Sequence, residues 1–451
     1  MARSLLLPSV ALTAFFLAGC GSPSAGHRQQ AQQGRSDGGA EAGGPAGDPD
    51  LGEDPGGDPS EQPTEDASPS GDDAGGGAAD GGKTACTWIP GAHARSDAPH
   101  GWRDVAPIET AGIAPRSGPS VWTGNELFVW GGSATGIAGS SATYLDGATY
   151  DPSTDTWKKL PDTSFTSGLR PDMVYGDGKV LIWGGHENVN DGVLFDLCTG
   201  TWEPIPAAPI VGRVLDVAAW STTTHEMVVW GGVRSSAAKS GSIGTMRDGA
   251  AYSPATHTWR TIAPSVLGAT DYSGVWTGTK LTMAFGGGNH GGGSNQQAAT
   301  YDPATDLWTM LSTPPATARQ HTAVAANGTT ATFFGGYNVC HCTDPALLDP
   351  KDGASYDEGT TAWTHVAAVP ASFGIAATGR DQIATWWAGG KLHFWSSFTV
   401  NGGTYDAASE TWSPLEDGGP GTPHSYSPRA VSLGGADELV FATSAMKAYR
   451  E

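Results

Sequence analysis

Cysteine and histidine are the residues of this 451-residue chain best suited to redox or metal chemistry. Cys340 and Cys342 flank His341, a spacing that permits either a tight Cys-x-Cys disulfide or part of a soft metal site together with Asp344. Two thiolates and one imidazole are too few to complete a zinc site, so the disulfide is favoured. We expect no cofactor.

Two further cysteines, Cys86 and Cys198, bring the number in the C-terminal part of the chain to an even count. Even counts in exported proteins favour disulfides. A Cys86–Cys198 bond would pin the segment that leads into the folded body, although the sequence alone does not fix the connectivity.

Arginine recurs at equivalent positions, each at the start of a predicted strand: Arg116, Arg170, Arg213, Arg319 and Arg429, with Arg380 less well aligned. An Asp-Gly or Asn-Gly pair recurs before a later strand, at Asp146, Asp191, Asp248, Asp352 and Asn401. One interpretation is an arginine-lined pocket for an anionic or sugar ligand. The other is Arg–Asp pairing between neighbouring repeats. The second is favoured, because a feature present in nearly every repeat is usually architectural.

The N-terminus has the features of an export signal. Arg3 precedes a short apolar run that ends in Leu17-Ala18-Gly19-Cys20. This arrangement resembles the lipobox of bacterial lipoproteins, and the resemblance implies lipidation of Cys20. Acyl chains would anchor the protein to the cell envelope, and Gly21 favours the outer membrane or cell surface. An ordinary secretory signal is the alternative.

Residues 21–83 are rich in Gly, Pro, Ala and acidic residues and contain one large apolar residue, Leu51. Such a segment cannot bury enough apolar surface to fold alone. We therefore predict a signal peptide at 1–20, a disordered tether at 21–83 and a folded body at 84–451. The net charge of −22 argues against nucleic acid as a partner.

Internal repeats predict the fold of the body. An aromatic residue precedes a tryptophan by seven positions in six places: Tyr150/Trp157, Phe195/Trp202, Tyr252/Trp259, Tyr301/Trp308, Tyr356/Trp363 and Tyr405/Trp412. Turn-forming residues separate each pair, which predicts a hairpin. An apolar strand ending in Gly-Gly usually lies upstream. This pattern of four strands per repeat resembles the Kelch repeat and implies an all-β propeller.

The chain ends predict how the ring closes. Trp102 has no aromatic partner seven residues upstream, and a tryptophan seven residues beyond Tyr449 would fall past the C-terminus. Pairing these two ends completes one more blade and removes an open sheet edge. We therefore predict seven four-stranded blades, with six as the alternative.

Function follows less directly. No H-E-x-x-H, G-x-S-x-G or Walker A motif occurs, and the G-x-G-x-x-G match at Gly286–Gly291 has no helix pattern after it. The variable loops after Gly-Gly predict a binding face that includes His186, His290 and His341 beside the arginines. We expect a monomeric module that binds a protein or glycan. The alternative is an enzyme, either a galactose-oxidase-like metal oxidase, for which His186, His290, His321 and His424 are candidates, or a sugar-modifying enzyme.

Overall fold

The computed structural model describes residues 100–116, 118–133, 143–166, 171–186, 188–214, 216–234, 244–268, 272–287, 294–338, 351–375, 383–396, 399, 401–416, 419, 430–432, 438–441 and 446–450. The predicted signal peptide, the tether, Cys20 and Cys86 lie outside these residues. Apart from two 3₁₀ turns, Ile108–Ala111 and Ala371–Phe373, the described elements are strands.

The first strand, β1 (Gly101–Asp104), is followed by six antiparallel sheets of four strands, which we number as blades. Blade 1 contains β2 (Ser120–Trp122), β3 (Leu127–Trp130), β4 (Gly147–Asp151) and β5 (Thr156–Lys159). Blade 2 contains β6 (Asp172–Gly176), β7 (Lys179–Trp183), β8 (Gly192–Asp196) and β9 (Thr201–Ile205). Blade 3 contains β10 (Val217–Ser221), β11 (Glu226–Trp230), a small ribbon of β12 (Val233–Arg234) and β13 (Gly244–Thr245), then β14 (Gly249–Ser253) and β15 (Thr258–Thr261).

The remaining blades repeat this order. Blade 4 contains β16 (Ser273–Thr277), β17 (Lys280–Gly287), β18 (Ser294–Asp302) and β19 (Leu307–Met310). Blade 5 contains β20 (Ala323–Asn327), β21 (Thr330–Phe334), β22 (Gly353–Asp357) and β23 (Ala362–Val366). Blade 6 contains β24 (Ile383–Ala388), β25 (Lys391–Ser396), β26 (Asn401–Asp406) and β27 (Thr411–Pro414). The chain then forms β28 (Ala430–Ser432), β29 (Glu438–Phe441) and β30 (Lys447–Arg450).

The two ends of the chain form one further four-stranded sheet, ordered β1-β30-β29-β28, which we call the closing sheet. Trp102 lies directly opposite Tyr449 in the β1–β30 ladder, with ring centroids 5.0 Å apart. The predicted closure by the N-terminal strand is therefore confirmed. Among the described residues, six blades consist of strands from one stretch of chain, and the closing sheet is the seventh four-stranded sheet.

Each predicted aromatic–tryptophan pair is a cross-strand pair between the third and fourth strands of a blade. Tyr150 lies opposite Trp157, Tyr301 opposite Trp308, and the other four pairs have the same register. Ring centroids within these pairs are about 5 Å apart, as expected for side chains on one face of an antiparallel pair.

The same tryptophans join neighbouring sheets. Each indole N–H donates to a backbone carbonyl in the segment that follows the fourth strand of the preceding sheet. The seven bonds measure 2.7–3.0 Å and run from Trp102 to Glu416, Trp157 to Ala106, Trp202 to Pro161, Trp259 to Pro206, Trp308 to Ala263, Trp363 to Ser312 and Trp412 to Ala367. The innermost strands β2, β6, β10, β16, β20, β24 and β28 also contact one another in this cyclic order, so the sheets close into a ring.

The apolar core lies between blades. The second strands are nearly continuous apolar runs and are fully buried, for example Leu127–Trp130 and Val180–Trp183. Leu181 and Trp183 of blade 2 pack with Met227 and Tyr252 of blade 3. Strands buried on both faces need such continuous runs rather than an alternating pattern.

Blade 4 departs from the predicted Gly-Gly register. In blades 1, 2, 3 and 5, two glycines with positive φ follow the second strand directly, as at Gly231 and Gly232. In blade 4 the first of these positions is held by Phe285, which has a φ of 55°, and β17 continues through a bulge to Gly287. A bulky side chain rarely adopts this conformation. Here the Phe285 ring is fully buried against Phe333 of blade 5.

Candidate functional site

One face of the propeller carries the segments that differ most between blades. In a four-stranded meander, the loop from the second to the third strand and the connection from the fourth strand to the next blade emerge at the same end. We call this end the loop face. It includes residues 143–146, 184–191, 206–216, 262–268 and 335–338 among those described.

Arg213 shows how the base of this face is built. Its guanidinium is fully buried and donates to the carbonyl of Gly231 at 3.0 Å and to both carboxylate oxygens of Asp248, at 2.9 and 3.1 Å. It also donates to the main-chain carbonyls of Val211 and Asp248. Arginine is suited to this position because its fixed fork of donors can satisfy several acceptors at once.

Arg116 and Arg319 repeat the arrangement in blades 1 and 5. Arg319 is fully buried and contacts Asp352 at 2.7 Å, while Arg116 is 3% exposed and contacts Asp146 at 2.7 Å. Each also donates to the carbonyl of the first glycine after the second strand and to the main-chain carbonyl of its aspartate. Burial lowers the pKa of Arg319 below its ordinary value, and the charge of Asp352 opposes this shift.

These contacts correct one detail of the sequence-based interpretation. The Arg–Asp pairs form within a single blade, not between neighbouring blades, because the arginine precedes the first strand and the aspartate precedes the third strand of the same sheet. The three described guanidinium groups are buried and hydrogen-bonded to main-chain carbonyls of their own blades, and their place on a binding face stays a prediction. Arg170, Arg380 and Arg429 lie outside the described residues.

In blades 1, 3 and 5, the buried arginine links the two positions at which the variable loop begins and ends. The first glycine after the second strand donates its N–H to the carbonyl of the aspartate that precedes the third strand, at 3.0–3.2 Å in blades 1, 2, 3 and 5. Arg116, Arg213 and Arg319 bind both of these carbonyl-bearing positions. We call this unit the arginine clamp. A rigid base with variable loops above it is the usual arrangement of a binding scaffold.

Exposed apolar side chains lie on the loop face. Six large apolar residues among those described are more than about a third exposed, and four are on the loop face: Leu145, Val211, Val266 and Tyr337. Leu145 is 42% and Val266 45% exposed. The sequence analysis missed them. Two of them could have been found from their distance in sequence to the clamp residues, because Leu145 directly precedes Asp146 and Val211 lies two residues before Arg213.

Of the predicted histidines, two are described. His186 is exposed on the blade 2 loop, and its Nδ1 accepts a hydrogen bond from the N–H of Asn188 at 3.3 Å. His321 stacks on Tyr337 with ring centroids 4.9 Å apart. His290, His341 and His424 fall outside the described residues. Within the described part of the chain, no three His, Cys, Asp or Glu side chains group closely enough to hold a metal ion.

Cys198 lies in the turn between β8 and β9, on the side of the blade opposite the loop face. Cys86, Cys340 and Cys342 fall outside the described residues, so the pairings of these cysteines stay predictions. No helix in the described part of the chain is long and apolar enough to cross a membrane.

Residues 171–392 match the family model of the KLHDC2/KLHL20/DRC7 Kelch-repeats domain. The chain contains a Kelch-repeat β-propeller. The match begins at the first strand of blade 2 and ends within the second strand of blade 6. The predicted Kelch fold is thereby confirmed.

Among solved structures, the Kelch propeller is similar to a copper-bound fungal alcohol oxidase of the AA5 family. The two share 14% identity with a TM-score of 0.53, covering 78% of this chain and 76% of the oxidase. The structure of YjhT is also similar, at 14% identity and a TM-score of 0.46, covering 62% of this chain and 91% of that one. No curated protein matches the chain. The oxidase likeness extends to the fold alone.

Proposed function

We propose that this Kelch protein is a non-enzymatic binding module that recognises a partner protein through its loop face. The observation that supports this function is the exposure of Leu145, Val211, Val266 and Tyr337 on the loop face, where Leu145, Val211 and Tyr337 lie on loops held at their bases by buried arginine clamps. Apolar side chains exposed on a rigid support lose little conformational entropy on binding and bury apolar area against a partner.

A protein partner is favoured over the glycan that the sequence left open. Three of the four exposed side chains are aliphatic, and Tyr337 is the aromatic one. Sugars are recognised by stacking on aromatic rings combined with directed polar groups, whereas aliphatic side chains bury best against apolar protein surface.

The test is site-specific photo-cross-linking in producing cells, with a photoreactive residue in place of Val266 or Tyr337. Ala255 is the matched control, because it is exposed in the turn between β14 and β15 at the opposite end of the propeller. We expect one discrete adduct from the two loop-face positions and none from Ala255. Equal labelling from Ala255, or no adduct at any loop-face position, contradicts the proposal.

Envelope anchoring through Cys20 is part of the proposed function, and it has a test of its own. The Cys20→Ser variant should leave the membrane fraction for the soluble fraction, and the wild-type protein should carry the added mass of acyl chains at its mature N-terminus. An unacylated wild-type protein found in the soluble fraction would support the ordinary secretory signal instead.

The oxidase alternative is tested on the same purified protein. Copper(II) is added, excess metal is removed, and bound copper and oxygen consumption with galactose are measured. Stoichiometric copper together with oxygen uptake would overturn the binding-module proposal.

A further inference from the structure

The outer edges of the propeller differ in how they are protected. The fourth strand of each blade, and β1 in the closing sheet, ends a sheet and has no described strand on its outer side. An unpaired strand edge is normally protected against pairing by charged residues or proline. Six of the seven outer strands carry Lys, Arg, Asp, Glu, His or Pro: β1, β5, β9, β15, β23 and β27.

The exception is β19 of blade 4, whose sequence is Leu307-Trp308-Thr309-Met310. Leu307 is 62% and Met310 46% exposed, the two highest values among the exposed large apolar side chains of the described residues. Both of the exposed large apolar residues outside the loop face therefore lie on one four-residue strand. Burial of these side chains by a neighbouring strand would remove apolar surface from water.

The backbone of β19 is oriented to accept another strand. Leu311 donates its N–H to the carbonyl of Ala298 in the β18–β19 ladder, which makes these two residues a hydrogen-bonded pair. Hydrogen-bonded and non-hydrogen-bonded pairs alternate along an antiparallel ladder. The pairs Tyr301–Trp308 and Ala299–Met310 are thus non-hydrogen-bonded, so the N–H and C=O groups of Trp308 and Met310 point away from blade 4.

Charge distinguishes between the possible occupants of this edge. Only three charged residues, Lys280, Asp302 and Asp306, occur between residues 272 and 317, and the two acidic ones lie in the turn that leads into β19. The chain as a whole has a net charge of −22, so a second copy would be repelled when brought edge to edge. Asp306 already lies 3.6 Å from the guanidinium of Arg260 in blade 3. A strand with a basic residue beside Asp302 would therefore be attracted mainly by that carboxylate.

We propose that β19 is a docking edge for an extended segment of a basic partner protein, which adds a fifth strand to blade 4. The segment has apolar side chains on both of its faces, because Leu307 and Met310 lie on opposite faces of the sheet, and a basic residue beside Asp302. Backbone hydrogen bonds to Trp308 and Met310 provide affinity, and the side chains provide specificity. This edge is separate from the loop face, and the inference does not depend on the proposed function.

The test uses the full chain and a synthetic peptide that ends in three lysines after a run of consecutive valines, which places apolar side chains on both faces of the strand. Binding is followed by titration calorimetry, and hydrogen exchange is followed at the amides of Trp308 and Met310. A second peptide that ends in three glutamates tests the role of charge. The variant Met310→Lys protects the edge, and Thr364→Lys, which places a lysine on the outer strand β23, is the matched control.

We expect the lysine peptide to bind, to slow exchange at Trp308 and Met310, and to weaken roughly tenfold in Met310→Lys, a loss of about 1.4 kcal/mol. Thr364→Lys should bind as the unmodified chain does, and the glutamate peptide should bind more weakly. Unchanged exchange, or equal binding to Met310→Lys, overturns the proposal. A dimer in sedimentation that Met310→Lys dissociates also overturns it, because the edge would then be covered by a second copy.

Discussion

The indole Nε1 of Trp102 donates a hydrogen bond to the main-chain carbonyl of Glu416 at 3.0 Å, between residues 314 positions apart in the sequence. The equivalent bond occurs between every pair of neighbouring sheets. Here it joins the N-terminal strand β1 to the segment after β27, across the seam between the closing sheet and blade 6. The Trp102 ring also packs on Trp395 of blade 6, with centroids 4.9 Å apart. Closure of the ring therefore uses the interactions of an ordinary blade seam.

Replacing Trp102 with phenylalanine should weaken this seam. The substitution keeps a ring against Trp395 but removes the donor to Glu416, so we expect a loss of about 0.5–1 kcal/mol in the free energy of unfolding. Hydrogen exchange at the β30 amides should accelerate, because β1 covers that strand. Trp308→Phe is the control, since it removes the equivalent bond at an internal seam without affecting exchange in β30. Unchanged exchange in β30 of Trp102→Phe would show that the bond does not contribute to closure.

The closing sheet could be predicted from sequence because the C-terminal repeat lacked a fourth strand, and the N-terminal end had a fourth strand without a third. Trp102 had no aromatic residue seven positions before it, and Tyr449 had no tryptophan seven positions after it. A repeat that recurs with fixed spacing makes such gaps visible. The register of this pair in the structure, Trp102 opposite Tyr449, is the one the other six pairs share.

We predict that removal of a clamp arginine destabilises the fold more than removal of an exposed ion pair does. Arg213→Met should lower the free energy of unfolding by about 1–3 kcal/mol, because it leaves the buried carbonyl of Gly231 without its donor, while the half-exposed carboxylate of Asp248 stays hydrated. Lys159→Met is the control: its pair with Asp162 is exposed, and its loss should cost less than about 1 kcal/mol. Urea denaturation of both variants measures the difference, and equal losses would contradict a structural role for the clamp.

Sequence spacing found the arginines and aspartates of the clamp but not their partners. Equivalent positions recur in each repeat, so a pair within one blade and a pair between neighbouring blades give the same pattern. The hydrogen bonds of the Arg213 side chain to Gly231 and Asp248 decide between them, and these partners can be identified only in the folded structure. The position of Phe285 could not be predicted from spacing either, because one β-bulge in β17 moves the glycines of blade 4 out of register with those of the other blades.

Gly176, at the end of β6, is a second position at which we predict that a substitution destabilises the fold. A Cβ at this residue would lie 1.9 Å from the Trp220 ring of blade 3, so there is no room for alanine without moving that ring. We expect Gly176→Ala to cost roughly 1–3 kcal/mol. Gly268→Ala is the matched control, since its nearest side-chain atom would be 3.8 Å away and its φ is not positive. Thermal unfolding distinguishes the two, and a neutral Gly176→Ala would mean that Trp220 can move at little cost.

The buried tyrosines of the Kelch pairs predict that the fold weakens in alkaline solution. Burial raises the pKa of Tyr252 to about 12, and the charge of Glu203 adds to the shift. Burial likewise raises the pKa of Tyr150 to about 12, with Asp155 contributing. In the unfolded chain both phenols ionise near pH 10, so the unfolded state loses its protons first and is stabilised relative to the folded state as the pH rises.

The stabilisation from these tyrosines is thus fully present below about pH 10 and is lost as the pH rises toward about 12. Each buried tyrosine contributes a slope of up to about 1.4 kcal/mol per pH unit within that window. Urea denaturation at pH 8 to 11 measures the slope. Tyr252→Phe should reduce the slope, because phenylalanine has no proton to lose. An identical slope in Tyr252→Phe and the unmodified chain would show that Tyr252 titrates alike in the folded and unfolded states.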